Sequence, residues 1–292
     1  MIVEKKVAPP QNPLMSAAVL RSLPTYVVLL ITSVIWMLPT LALLISSFRP
    51  QDKIANTGWW SFNFAELNLA NYEAVLAGNN LGMAFVNSLY LTVPTTVLTI
   101  ALASLAAYAF SWMPFKGSNL LFTVLVALSV VPIQMSLGPT LKLMTLTHLT
   151  GTFPAVWLAH TAYGLPFSIF LMRNFFSALP KEMFESAYLD GASPLVAFMR
   201  LALPTAVPAL ASLAIFQFMW VWNDLLVALI FLGGSPSVAV LPVAISNLVG
   251  QYGDGWQLLT AAAFISMSLP LLLFFSMQRY FVQGILAGSV KG

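Results

Sequence analysis

Residues 181–204, KEMFESAYLDGASPLVAFMRLALP, set the frame for the rest of the chain. Five charged residues, Lys181, Glu182, Glu185, Asp190 and Arg200, fall within twenty positions of a chain that is only 7% charged. The punctuation predicts two short helices. Pro180 suits the first helical position, where its missing N–H is no loss, and Glu182 and Glu185 suit the positive end of the dipole. Gly191 can close that helix in a left-handed conformation. Ser193 can cap a second helix that begins with Pro194 and runs to Pro204. In the first helix Phe184, Ala187, Tyr188 and Gly191 repeat at i, i+3, i+4, i+7 as an apolar face, opposite Glu182, Glu185 and Leu189. A helix–glycine–helix knob between apolar stretches has the form of a plug for another protein's groove; the plainer alternative is a solvated loop.

Composition says where the knob sits. The 292 residues are 59% hydrophobic and 7% charged, against roughly 25% charged in a typical soluble domain. Such a chain belongs in a lipid bilayer. With no cysteine, disulfides and thiolate metal sites are excluded. His148 and His160 are the only histidines, too few for a metal ligand set, and each reads as a loop or interface residue. No run of like charges points to nucleic acid. Residues 1–23 are polar, with Pro9, Pro10 and Pro13 beside Lys5, Lys6 and Arg21. The apolar run from Pro24 to Phe48 outlasts a signal-peptide core of roughly 7–15 residues and reads as a retained first span.

A transmembrane helix needs about 20 apolar residues, and six stretches qualify: 25–47, 83–110, 119–140, 153–174, 205–231 and 258–281. Pro39, Pro94, Pro132, Pro166, Pro208 and Pro270 lie in or near them, tolerable where neighbouring helices or a cavity satisfy the freed carbonyls. With the N-terminus inside, nine basic residues fall on cytoplasmic segments and three (Arg49, Lys53, Lys142) on the other side, as the positive-inside rule requires. The expected fold is an all-α integral membrane protein: six transmembrane helices, both termini cytoplasmic, and a cytoplasmic helix-turn-helix loop at 175–204. Its domain covers 25–282, between a cytoplasmic segment 1–24 and a cytoplasmic tail 283–292.

Polar residues inside or beside spans are the candidates for a transport path. Trp220, Trp222, Asn223 and Asp224 cluster at the outer end of the fifth span, combining flat apolar faces with acceptors for hydroxyls. An ionisable residue at membrane depth is a functional hypothesis; in the outer interface Asp224 would cost little. Asn87, just inside the second span, suits either the path or a hydrogen bond to a neighbouring helix. Trp59, Trp60, Phe62 and Phe64 in the first outside loop fit an interfacial aromatic belt or a cap on an outer mouth. Gln251, Tyr252 and Asp254 lie among glycines in the last outside loop, where they can probe a docked protein. There is no Walker A run, nucleophile elbow or HExxH, so energy must come from a partner. Asp224 has no ionisable partner identifiable from the sequence. A secondary transporter would need ion-coupling carboxylates in its spans, which are scarce, and would leave the 181–204 knob unexplained.

The spelling of the knob adds a resemblance. Glu185-Ser186-Ala187, Asp190-Gly191-Ala192 and Leu203-Pro204 resemble the EAA loop of ABC-importer permease subunits, with Ser186 where the family has Ala. Leu69-Ala70-Asn71-Tyr72, Asn87-Ser88-Leu89, the Trp222-Asn223-Asp224 run and the ending from Gln278-Arg279-Tyr280-Phe281 to Gly288-Ser289-Val290-Lys291-Gly292 are similar to maltose-type carbohydrate permeases. The resemblance implies a second homologous permease, two ATPase subunits and an extracytoplasmic sugar-binding protein as partners in the bilayer. ATP and Mg would be bound by the partner ATPases, with no cofactor in this chain. It implies ATPase coupling by Glu185, Ser186, Ala187, Asp190, Gly191 and Pro204, with Ala187 and Gly191 as close-packing points. It further implies ATPase contact by Gly288, Ser289, Val290, Lys291 and Gly292. The implied solute is a di- or oligosaccharide, such as the α-glucosides maltose or trehalose. The alternatives are a non-sugar solute such as glycerol-3-phosphate, or an ion-coupled secondary transporter.

Overall fold

The computed structural model describes residues 13–61, 63–78, 80–248 and 255–289, with side chains between 22 and 278 except 55 and 78. Every regular element among them is helical. The first is α1 (Pro13–Ser47), followed by the short α2 (Gln51–Asn56) and α3 (Ala70–Glu73), which widens into a π turn. Then come α4 (Leu81–Trp112), α5 (Ser118–Leu128), α6 (Ile133–Leu146), α7 (Phe153–Ser177) and α8 (Lys181–Leu189). α9 (Pro194–Ala197) passes through a second π turn into α10 (Leu203–Thr205), and α11 (Val207–Trp222), α12 (Leu226–Leu232), α13 (Leu241–Ser246) and α14 (Trp256–Ser289) complete the order.

Among the described residues, Ser22–Ser47 of α1, α4, α7 and Trp256–Gln278 of α14 are each long and apolar enough to cross a bilayer alone. Two bent pairs, α5 with α6 and α9–α10 with α11, bring the number to as many as six where each pair forms one span. These bends correct the sequence expectation. The stretch 119–140 is not one helix: α5 and α6 meet at 101°. Pro132 has φ −59° and ψ 127°; it offers no N–H and pushes Val131 out of the helical region, so the chain turns instead of kinking. Nor is 205–231 continuous, because α11 stops at Trp222 and α12 starts at Leu226.

The centre of the molecule is the pair α4 and α7. They lie parallel: Trp157 Nε1 donates to Tyr90 O (3.0 Å) near their starts, and Trp112 Nε1 to Phe176 O (3.1 Å) near their ends. Between Leu81 and Tyr108 the buried face of α4 is mostly small or hydroxylic, with Ala84, Ser88, Thr92, Thr95, Thr96, Thr99, Ala103, Ser104 and Ala107 beside Asn87 and Leu91. α7 answers with Ala155, Ala159, Gly164 and Ser168. Within lipid, where burying apolar surface gains little, small faces bring backbones close and dispersion holds them. Thr95 and Thr99 return their hydroxyls to the carbonyls four residues back (2.7 and 2.8 Å). Large residues such as Val97, Leu102 and Leu105 point outward. α11 adds Gln217, whose Nε2 donates to Thr99 Oγ1 (3.3 Å); a Cβ on Gly164 would lie 2.7 Å from its Oε1. α14 runs beside α11, and α1 lies along α14. Most of α1 is open, with Trp36 82% exposed.

Asn87 and Ser88 fasten the turn before α13 to this centre. Asn87 Nδ2 donates to Ser237 O (3.1 Å) and Ala239 O (3.0 Å), and Ser88 Oγ accepts from Leu241 N (2.8 Å). Losing a buried hydrogen-bond partner costs about 1–3 kcal/mol per orphaned group. Asn87→Ala therefore lowers the thermal unfolding midpoint of the purified chain in detergent, and Asn87→Leu does so at least as much. An unchanged midpoint in both contradicts the fastening role.

Candidate functional site

The knob forms from the local signals that predict it. α8 ends with Ala192 N donating to Ala187 O (2.9 Å) and Gly191 N to Tyr188 O (3.0 Å), a double closure that needs a left-handed residue, supplied by Gly191 at φ +83°. Ser193 Oγ then accepts from Val196 N (3.4 Å) and opens α9. A Cβ on Gly191 meets no atom of the chain within 4 Å. Within this chain the position is thus fixed by its φ and not by crowding.

Buried aromatic side chains root the knob, Phe184 foremost. Phe184 is 1% exposed and stacks on Trp112, the last residue of α4, with ring centroids 3.9 Å apart at 26°. Tyr108, Phe176 and Phe198 enclose it in the same apolar cluster. The hydroxyls of Tyr188 and Tyr108 meet at 3.2 Å. α4, α7, α8 and the turn after α9 therefore share one aromatic socket. The outward side is different: Leu189 is 89% exposed and Leu195 63%, beside exposed Glu182, Glu185, Ser186, Asp190 and Pro204. Ala187 is half-buried between the two sides. An exposed apolar patch with a charged rim on a rigid base is suited to docking a protein.

The aromatic–polar cluster after α11 divides. Trp222 is buried, donates Nε1 to Ser266 O (3.1 Å) and stacks on Phe218 (5.5 Å), so it joins α11 to α14. Asn223 is exposed, with its amide on Met219 O (2.8 Å). Asp224 lies in the break between α11 and α12, and its Oδ2 accepts from Val227 N (2.8 Å) and Ala228 N (3.1 Å). The expectation that Asp224 lacks an ionisable partner is corrected: His160 Nε2 of α7 is 3.5 Å from the same oxygen. His160 is fully buried, neither ring nitrogen has a hydrogen bond, and Trp220 meets the imidazole edge-on at 5.1 Å. Sequence reasoning missed this pair because it joins two helices; the one available signal was the scarcity of ionisable residues in the spans. Asn87 stands apart from the cluster, with both amide protons on the turn before α13.

At the same end, Trp59, Trp60 and Trp256 line a cavity of ≈ 440 Å³ with Arg49 and the last turns of α1. The guanidinium is occupied by the carbonyls of Lys53, Gly58 and Ser61 and the hydroxyl of Thr57. Gln251, Tyr252 and Asp254, and Val290, Lys291 and Gly292, lie outside the described residues, while Gly288 and Ser289 close the backbone of α14.

Comparisons with known proteins agree on one neighbourhood. Residues 99–287 match the family model described as "Binding-protein-dependent transport system inner membrane component". The chain is 53% identical over 276 residues, 93% of each chain, to the osmoprotective compounds uptake permease protein GgtD of Synechocystis sp.. It is 50% identical over 229 residues, 77% of this chain and 60% of the other, to the alpha-glucoside transport system permease protein AglG of Rhizobium meliloti. A bacterial ABC transporter involved in the import of the acidic polysaccharide alginate shares the fold, with a TM-score of 0.74 at 19% identity over 94% of this chain and 100% of that one.

The socket makes a direct prediction. Emptying a buried aromatic site costs about 3–5 kcal/mol, so Phe184→Ala loosens α8 from α4 and exposes residues 181–204 to limited proteolysis in detergent. Phe184→Leu has a smaller effect. Equal protease resistance of Phe184→Ala and the unaltered chain contradicts the rooting role.

Proposed function

Because the chain belongs to the binding-protein-dependent transport system inner membrane component family, we propose that it is the permease subunit of an ATP-driven sugar importer. It is a multi-pass membrane protein of helical fold. It forms half of a translocation path, the other half coming from a second, homologous permease. Two ATPase subunits dock at the α8 end, which faces the cytoplasm, and bind the ATP and Mg. A solute-binding protein docks at the far end. This chain does no chemistry of its own.

The observation that carries this reading is the knob. Its outer surface is apolar and exposed, and its root is the socket that α4 and α7 share. ATP-driven closure of the ATPases would move α8, and Phe184 would pass that motion to the central pair. Glu185 is the polar anchor, Ser186, Ala187 and Pro204 line the contact, Asp190 ends α8, and Gly191 keeps the turn. The end of α14 and the residues beyond it, Gly288 to Gly292, extend the ATPase contact, and Gln251, Tyr252 and Asp254 meet the binding protein. The solute is a di- or oligosaccharide, and an α-glucoside such as maltose or trehalose fits the relative named for alpha-glucoside transport. Trp220, Asn223 and Asp224 give this half of the path an aromatic face and hydroxyl acceptors, whereas a phosphorylated solute would call for cations.

The test is uptake and ATP hydrolysis by the chain reconstituted in proteoliposomes with its companion permease, ATPase and binding protein, across a panel of glycans. One glycan with the binding protein stimulates hydrolysis and is accumulated. In that system Gly191→Val, a β-branched residue forced to φ +83°, hydrolyses ATP but accumulates little sugar. Full accumulation by that variant, or failure of any ATPase to assemble with the unaltered chain, contradicts the proposal.

A further inference from the structure

Two ionisable side chains meet where the helices break. Asp224 Oδ2 closes the start of α12 through Val227 N and Ala228 N, and the carboxylate stays 16% exposed. His160 Nε2 approaches that oxygen at 3.5 Å from the fully buried side. α4, α11 and α12 carry no Asp, Glu, Lys or Arg, and Arg173 on α7 lies thirteen residues away, about 20 Å along the helix. Lys142 on α6 is exposed. Among the described residues, His160 is thus the ionisable side chain against the Asp224 carboxylate. Capping alone does not require a carboxylate, because asparagine caps as well. A charge in an apolar wall is costly unless compensated, and such residues mark pathways.

We infer that His160 is a positioning residue acting through Asp224: from the buried side it braces the carboxylate in the α11–α12 break, so that its exposed part accepts hydroxyls of a neutral polyhydroxyl solute. This rests on the permease reading above. The imidazole approaches from the buried side and leaves the exposed part of the carboxylate uncovered. Trp220, half-buried and edge-on to His160, fixes the ring from the α11 side and gives the solute an apolar face.

A mutant cycle in the complete reconstituted importer tests this. His160→Ala and Asp224→Asn each raise the solute KM by roughly tenfold, as loss of one charge-assisted contact does, and more than they lower the maximal rate. The double variant is no worse than Asp224→Asn alone. His160→Gln, which keeps an N–H within reach of Oδ2, recovers most of the loss. A double variant whose KM is the product of the single effects, a wild-type KM for His160→Ala, or a Gln variant as impaired as the Ala variant overturns the inference. If His160→Ala does not assemble, His160→Gln in the Asp224→Asn background must leave KM where Asp224→Asn puts it, and a further rise overturns the inference. Solute-stimulated ATP hydrolysis by the unaltered importer reports separately on the permease reading, so the two fail in different experiments.

Discussion

Phe184 sits on the indole of Trp112, and Phe198 packs beside it on Tyr108 and Phe176; these two rings anchor the knob. α8 has nine residues, and isolated helices below about 12–15 residues are marginal in water. Without that anchor the segment would behave as the solvated loop its charges suggest. With it, a helix carrying Glu182, Glu185 and the exposed Leu189 is held to the ends of α4 and α7. Those two helices are in turn held to each other by small faces whose backbones approach closely. A push on the outer surface of α8 therefore has a short mechanical route into the centre of the protein.

Two of the larger polar side chains at the centre are given partners. Gln217 reaches Thr99 across the space left by Gly164, and Asn87 and Ser88 bind the backbone of the turn before α13. The breaks are where polarity concentrates. At Pro132 the chain turns by 101°, and the break between Trp222 and Leu226 places Asp224 to accept from Val227 N and Ala228 N in the first turn of α12. Irregular backbone at membrane depth is stable only when protein or a cavity satisfies it. Asp224 meets that requirement for α12 while keeping part of its carboxylate open.

How much was legible in the sequence depended on the range of the forces involved. Most of the knob was readable, because Gly191 and Ser193 act through their own backbone and its next turn; Pro180, expected as the first helical residue, instead precedes α8 at φ −59° and ψ 133°. The spans Ser22–Ser47, Leu81–Trp112 and Phe153–Ser177 followed from hydropathy alone. Pro132 was visible, but a proline kinks or breaks a helix according to its neighbours, and those lie on other helices. Trp222 and Trp220 look alike in the chain, yet one is core between α11 and α14 and the other lies beside His160. Asp224 and His160 are 64 residues apart, and no periodicity links them. The similarity to known permeases covers the frame of all this and adds no contact that the residues do not make themselves.

The chain has no cysteine, which makes the central claim, that the exposed side of α8 seats in an ATPase, directly accessible. A Leu189→Cys variant carrying a short photo-activated cross-linker is assembled with its partners and irradiated with and without ATP, beside a Trp60→Cys control at the far end. The account predicts an adduct between the Leu189→Cys chain and the ATPase subunit that changes yield on ATP binding, and none from the control. An ATPase that assembles with the chain but is never captured from Leu189→Cys would contradict it.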